Sequence, residues 1–265
     1  APVLLGLLIG GEAANAKVAD AAPAMIIAMS IFLLAAIIIA FTSIPEPHME
    51  TPEEKAARKA GKVQKDKYGP MNFRHFVLGA VAIFFYVGIE VGIPNTANVY
   101  FSGLDWVGPA ITGTMIGTYW FSMMIGRLVG GAIGGKVASK VMLCVTSAVA
   151  ICFLICFMIF AGAETPATVA LFGKTIPVAL LFITLCGLCT SVMWGAIFTL
   201  SAEGLGKYTA TASGIFMTLV CGGGIIPFLQ NLIADKVGSV ASYWLLIACL
   251  AYLVFYALVG SKNVN

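Results

Sequence analysis

The chain has 265 residues, of which 60% are hydrophobic and 10% are charged, and its mean hydropathy is +0.98. Soluble domains carry about 25% charged residues, so this composition excludes a water-soluble globular enzyme. The formal net charge of +3 is too small to indicate a nucleic-acid partner. The sequence therefore predicts a protein that lies in a lipid bilayer.

Long apolar windows follow one another along the chain. A spanning helix needs about 20 predominantly apolar residues, and residues 21–43 form the first uncharged window of that length. After the polar stretch 45–74, charged residues separate six further windows: 75–104, 106–126, 141–163, 175–202, 208–234 and 237–261. None of them alternates with period two between regular turns, so spanning helices are favoured over a β-barrel.

The beginning of the chain predicts an incomplete helix. APVLLGLLIGG is too short to span a bilayer and lacks the basic region of a signal peptide. We expect the chain to begin inside a spanning helix, with an N-terminal part absent. The expected organisation is the end of one helix bundle at 1–44, a cytoplasmic loop at 45–72 and a six-helix bundle at 73–265. Within the loop, TPEEKAARK from Thr51 predicts a short amphipathic helix.

The distribution of Lys and Arg predicts the orientation. The loop 45–74 holds seven of the 15 basic residues. If the helices alternate in direction, five more lie on its side of the membrane: Arg127, Lys136, Lys140, Lys207 and Lys262. Only Lys17, Lys174 and Lys236 remain for the other side. Because cytoplasmic loops carry the excess of basic residues, we expect the loop and the C-terminus in the cytoplasm.

Four segments resemble one family of transporters, the fucose/glucose–galactose proton symporters of the major facilitator superfamily. FYVGIEVGIPNTANVYF at 85–101 resembles their seventh helix, and GTYWFSMMIGRLVGGAIGGKVASK at 117–140 resembles the loop between their eighth and ninth helices. WGAIFTLSAEGLG at 194–206 and SGIFMTLVCGGGIIPFLQNLIAD at 213–235 resemble their tenth and eleventh helices. Residues 1–70 then correspond to the end of helix five, helix six and the central loop.

The resemblance implies an all-α integral membrane protein with the major facilitator fold, represented by its C-terminal six-helix half. It further implies secondary active import of a hexose or deoxyhexose, of glucose, galactose or fucose type, by proton symport with alternating access in the bacterial inner membrane. The implied partners are the sugar, protons, the lipid bilayer and the missing N-terminal half, where the family's coupling acids mainly lie. The superfamily's loop motif carries an Asp after its glycines, and GRLVGGAIGGKVASK has none, so an Asp–Arg gate is not implied.

Glu90 is the ionisable residue that stands out within the spanning windows. It lies near the middle of 75–104, where an acid costs about 2.5–3.5 kcal/mol on the insertion scale. We therefore expect it to face a cavity or a partner. Three roles stay open: contact with a sugar, carriage of the coupled proton, or a structural hydrogen bond to a neighbouring helix.

The surroundings of Glu90 suit a sugar. Tyr86, Glu90, Pro94 and Asn98 recur every four residues and share one helix face, and Asn95 flanks them. Carboxylate and amide groups pair with sugar hydroxyls, and an aromatic ring packs on the C–H face of a pyranose. Together with Trp194, these residues form the predicted substrate site. Gly88, Gly92 and Pro94 weaken the helix, and we expect the freed carbonyls to be satisfied in a lined cavity.

Two glycine-rich segments have alternative interpretations. Cys221 with Gly222, Gly223, Gly224 and Pro227 predicts either a hinge for alternating access or close helix packing, and Gln230 and Asn231 are expected toward the outer, interfacial end. Arg127, beside glycines at 126, 130 and 134, is interpreted as an inner gate or as a cytoplasmic anchor. Tyr119 and Trp120 are amphipathic aromatics, interpreted as membrane-belt or core residues.

No cofactor or metal is expected. All seven cysteines fall in apolar windows without a His or acid at metal spacing, so they are interpreted as small apolar side chains. An intramembrane enzyme is disfavoured because neither His48 nor His75 lies deep in the membrane and no nucleophile–base pair is present. The remaining alternatives are a drug or metabolite antiporter of the same superfamily and a non-transporting membrane receptor.

Overall fold

The structure, a computed structural model, describes residues 22–42, 69–171 and 174–262. The chain divides into two units between Gly69 and Pro70. The first unit contains helix α1, Ala22–Phe41, whose 20 residues, all apolar except Ser30, rise about 30 Å, the thickness of a bilayer core. The predicted incomplete helix at 1–11 and the predicted helix from Thr51 lie outside the described residues.

The second unit begins with a 3₁₀ turn, Pro70–Asn72, and is helical apart from one hairpin. Its elements in chain order are α2 Arg74–Ser102, α3 Gly108–Ile133, α4 Ser139–Ala161, β1 Thr168–Leu171, β2 Lys174–Pro177, α5 Val178–Thr190, α6 Met193–Ala202, a 3₁₀ turn Gly206–Tyr208, α7 Thr209–Leu219, α8 Gly222–Val237, α9 Tyr243–Phe255 and a π-helical turn Tyr256–Gly260.

Five segments of the described residues are long and apolar enough to cross a membrane: Arg74–Ser102, Ser139–Ala161, Val178–Ala202, Gly206–Val237 and Tyr243–Gly260. Helix α3 is not among them although its 26 residues rise about 39 Å, because its glycines, threonines and Arg127 lower its hydropathy. The charge-free window stopped at residue 126, but the helix does not end there. Arginine is a good helix former, and α3 continues to Ile133.

Two predicted windows contain breaks that charge alone did not reveal. The window 175–202 begins with a strand, because Thr168–Leu171 pairs antiparallel with Lys174–Pro177, and the helix starts only after Pro177. It is then interrupted at Ser191 and Val192, between α5 and α6. The window 208–234 is interrupted at Val220 and Cys221, between α7 and α8.

Helix α2 lies at the centre of the second unit and contacts α3, α5, α6, α7, α8 and α9. Its small residues let α8 approach closely, since a Cβ on Gly88 would lie 2.5 Å from Ile226 and one on Gly92 would lie 2.7 Å from the Gln230 Oε1 atom. Small residues at crossings are the usual basis of helix packing in lipid. Gly88 and Gly92 are therefore packing positions in a continuous helix rather than points where it opens.

Contacts between helix ends show that α2 runs opposite to α6 and α9 and in the same direction as α4. His75, at the start of α2, pairs with the Glu203 carbonyl just after α6 at 2.8 Å, and its own carbonyl accepts from Tyr256 at 3.3 Å. At the other end of α2, the Tyr100 hydroxyl donates to the Ala161 carbonyl at 3.1 Å. The start of α2 thus lies beside the ends of α6 and α9, and the end of α2 lies beside the end of α4.

Candidate functional site

Glu90 and Arg127 form an ion pair between α2 and α3. The Arg127 Nη2 atom donates to Glu90 Oε1 at 2.9 Å. The Glu90 side chain is 14% exposed and the Arg127 side chain 56% exposed. The sequence predicted that Glu90 faces a cavity or a partner, and the structure identifies a partner, Arg127. The sequence analysis had interpreted Arg127 separately, as a gate or an anchor.

Pro94 determines what surrounds the backbone of Glu90. A proline has no amide hydrogen, so the carbonyl four residues earlier, that of Glu90, loses its helical partner. The Tyr119 hydroxyl from α3 donates to this carbonyl at 3.0 Å and lies 3.3 Å from the Thr190 hydroxyl of α5. The expectation that a lined cavity satisfies this carbonyl is wrong, because a buried tyrosine from the neighbouring helix fills the space.

Tyr86 lies one turn before Glu90 and is completely buried. Its ring meets the half-buried Trp194 edge to face, with 6.1 Å between the centroids. The hydroxyl faces both charged groups of the ion pair, Glu90 and Arg127, and has no other hydrogen-bond partner among the described residues. Tyr86, a residue of the predicted substrate site, is thus enclosed beside the ion pair rather than exposed in a cleft.

Asn95, Asn98 and Pro94 line a cleft between α2 and α3, further along α2. Its volume is about 370 Å³. Val91 lines it from α2 as well, and Trp120 lines the opposite wall together with Gly113 and Ile116 of α3. Both asparagines are exposed. Of the predicted substrate residues, Asn95 and Asn98 share this cleft, whereas Tyr86, Glu90 and Trp194 do not line it. The sequence reasoning missed Trp120 as a member, because an amphipathic aromatic residue was interpreted as a membrane-belt or core residue.

Arg127 and Trp194 line a second cleft with Ser191 and Gly195, with a volume of about 480 Å³. The sequence assigned these two residues to separate roles, in gating and in substrate binding, and the structure brings them together. The break between α5 and α6 makes this possible. A Cβ on Gly126 would collide with Ser191 and one on Gly130 with Val192, so α3 packs directly on the interrupted segment.

The glycine run of α8 follows a break in the helix. A Cβ on Gly222 would collide with the Phe84 carbonyl and one on Gly223 would lie 2.8 Å from Val87, whereas one on Gly224 would meet nothing within 4 Å. Pro227 is buried inside α8. Gly222 and Gly223 thus serve close packing against α2, and a hinge role for this segment stays a prediction.

Gln230 is a polar residue whose environment the sequence misjudged. It was expected near an interfacial end, but it is completely buried against Gly92, and neither amide atom has a hydrogen-bond partner within the described part of the chain. The next residue, Asn231, accepts from the Thr96 hydroxyl at 3.5 Å. Gly92 leaves room for the Gln230 amide. Residue spacing within one helix does not reveal this contact, because the two residues lie on different helices.

The sequence profile of the Major Facilitator Superfamily matches residues 1–228. The chain belongs to the Major Facilitator Superfamily. Within it, the chain is 32% identical over 270 residues to a "Glucose/galactose transporter" of Brucella abortus, an alignment of 99% of this chain and 60% of the relative. It is 29% identical to a "Putative glucose/galactose transporter" of Helicobacter pylori, over 93% of this chain and 57% of the relative.

Solved structures agree in fold. FucP, a Major Facilitator Superfamily transporter in the outward conformation, superposes with a TM-score of 0.63 at 20% identity, covering 90% of this chain and 54% of FucP. A variant of the same protein, described as the E. coli fucose:proton symporter, gives a TM-score of 0.60. The family and the all-α fold predicted from the sequence are confirmed. These relatives are named as transporters, and none as an enzyme.

The chain spans about 60% of the length of the curated relatives. In a facilitator of this superfamily, ligand sites lie near the midplane between two helix bundles. Glu90, the seventeenth of the 29 residues of α2, lies close to the middle of its span. One cleft lies between α2 and α3, and the other lies between α3 and the α5–α6 segment. Arg127, next to the glycines of α3, pairs with Glu90 and not with an Asp in the loop motif of the superfamily.

Proposed function

We propose that the chain is the C-terminal part of a secondary active transporter that imports a hexose or deoxyhexose, of glucose, galactose or fucose type. Transport is by proton symport with alternating access, in the bacterial inner membrane with the C-terminus in the cytoplasm. The names of the curated relatives support the substrate class, since both contain glucose and galactose.

The cleft that contains Asn95, Asn98 and Trp120 carries this proposal. Each amide offers a carbonyl acceptor and an NH₂ donor, so two of them can pair with neighbouring sugar hydroxyls. The indole supplies a flat apolar surface with a single polar edge, which suits the C–H face of a pyranose. Both asparagines are exposed in this chain, and we propose that an N-terminal helix bundle forms the other wall and supplies the residues that couple transport to protons.

The test is transport by the full-length protein in proteoliposomes. Labelled glucose, galactose and fucose are offered with an inward proton gradient and, separately, without one. We expect gradient-driven accumulation of at least one sugar. Trp120→Ala should weaken its binding about tenfold, equivalent to about 1.4 kcal/mol, whereas Trp244→Ala, an exposed tryptophan of α9, should leave binding unchanged.

The two alternatives give different results in the same assay. A drug or metabolite antiporter of the superfamily would exchange protons for its ligand and would not accumulate any of the three sugars. A non-transporting receptor would bind a sugar, with the same loss in Trp120→Ala, but would show neither uphill uptake nor counterflow. Either result contradicts sugar symport.

A further inference from the structure

Glu90 and Arg127 are the two charged side chains that lie away from the helix ends among the described helices. The other charges of these helices lie in a first or last turn, such as Arg74, Lys140 and Lys236. The ion pair, with 2.9 Å between Nη2 and Oε1, therefore sets the net charge of the interior of this bundle at zero. At a distance, the electrostatic potentials of two opposite charges so close together nearly cancel. Removal of one charge leaves the other uncompensated.

The ion pair is accessible to a ligand. Arg127 is 56% exposed and shares a cleft with Trp194 and Ser191. Along α2, Asn95 lies five residues and Asn98 eight residues after Glu90, a rise of about 7.5 Å and about 12 Å. A charged sugar bound by the asparagines would thus lie close enough to interact with Glu90 or Arg127 when either has lost its charged partner.

We propose that Glu90 and Arg127 together determine the charge selectivity of the sugar site, so that neutral sugars are accepted while hexuronates and protonated amino sugars are rejected. The inference rests on the proposed function and concerns the same site. A charged sugar loses hydration free energy on entering the cleft, and its electrostatic interaction with a balanced ion pair offsets little of that cost. Its interaction with a single opposite charge would offset much more.

Neutralising one partner should reverse the preference in a predictable direction. Glu90→Gln leaves Arg127 unpaired and favours an anionic sugar, and Arg127→Gln leaves Glu90 unpaired and favours a cationic one. For unit charges about 12 Å apart and an effective dielectric constant near 20, Coulomb's law gives a change in affinity of about tenfold.

The experiment measures displacement of a labelled neutral hexose from the full-length protein by galactose, galacturonate and galactosamine at pH 7. Within each variant the ratio of the inhibition constant of the charged competitor to that of galactose is compared, so a general loss of affinity cancels. We expect this ratio to fall tenfold or more for galacturonate in Glu90→Gln and for galactosamine in Arg127→Gln. The double variant should return to the wild-type ratios.

A matched control is Glu203→Gln, which removes the same charge just after α6 and should leave every ratio unchanged. Unchanged ratios in both single variants would contradict the inference while leaving sugar binding intact. The wild-type protein gives a test that does not depend on folding of a variant, since galacturonate binding as tightly as galactose would also overturn the inference. Failure of the wild-type protein to bind any neutral hexose would instead contradict the proposed function.

Discussion

Pro94 links the chemistry of the site to the stability of α2. Its missing amide leaves the Glu90 carbonyl without a helical partner, and no water is present in a bilayer core to replace it. Tyr119 supplies the hydrogen bond, at 3.0 Å. The sequence predicted freed carbonyls from Gly88, Gly92 and Pro94, and Pro94 accounts for that of Glu90. The sequence did not predict the donor, because Tyr119 lies on another helix and its contact depends on how α3 crosses α2.

Tyr119→Phe should therefore destabilise the folded protein. The substitution keeps the ring and leaves the Glu90 carbonyl buried without a donor, which costs about 1–3 kcal/mol. Thermal unfolding in detergent measures the loss as a lower Tm. Tyr252→Phe is the matched control, because Tyr252 donates to the Leu78 carbonyl at 3.0 Å, a carbonyl that also has a helical partner. Equal losses in the two variants would contradict the role assigned to Pro94.

Glu90→Gln addresses the role of the carboxylate itself. Protonation of Glu90 would leave Arg127 without its partner, so the ion pair favours a carboxylate that stays charged and contacts the ligand over one that carries the proton. Hydrogen bonds to charged groups are worth about 1.5–3 kcal/mol, and we expect the variant to bind neutral sugar roughly tenfold more weakly. Calorimetry gives the affinity, and uphill uptake at saturating sugar should persist. Intact binding and counterflow with no uphill uptake would identify Glu90 as the proton carrier instead.

At the scale of elements, apolar length predicted where helices occur but not where they are interrupted. The windows at 141–163 and 237–261 correspond closely to α4 and to α9 with its π-helical turn. The windows at 175–202 and 208–234 each contain a break, because an uncharged run shows only that a segment is compatible with lipid. The interruptions depend on tertiary contacts, such as that between Gly130 and Val192.

The glycines that follow the second break allow a test between two roles, close helix packing and hinge motion. Gly222→Ala places a Cβ against the Phe84 backbone, which cannot give way as a flexible side chain would. We therefore expect much less folded protein by size-exclusion chromatography in detergent. Gly224→Ala meets open space and should fold normally.

Gly224→Ala also addresses the hinge hypothesis. If the segment is a hinge, this folded variant should bind sugar with unchanged affinity but transport it more slowly. Unchanged transport would leave packing against α2 as the role of the glycine run. Normal folding of Gly222→Ala would contradict the packing interpretation.

At the scale of the whole second unit, the arrangement of helix ends agrees with the alternation of spanning segments on which the orientation prediction rests. Lys140 and Lys262 line one cleft with Glu203, and His75 contacts the Glu203 carbonyl. Residues from four different helix ends thus meet on one side, as the alternation of spanning segments requires. Arg127, which the sequence counted as a cytoplasmic residue, lies within α3 and pairs with Glu90, so the orientation now depends on the remaining basic residues.

Cysteine labelling on a background without the seven native cysteines tests this orientation in the full-length protein. Lys136 lies between α3 and α4, whereas Asp105 follows α2 and Thr168 begins β1, and all three are exposed. Since basic residues are retained in the cytoplasm, Lys136→Cys and Ala60→Cys should react with an impermeant maleimide only after the membrane is opened. Asp105→Cys and Thr168→Cys should react in intact cells. Reaction of Lys136→Cys from outside would reverse the orientation, and reaction of Lys136→Cys and Asp105→Cys from the same side would show that α3 does not cross the membrane.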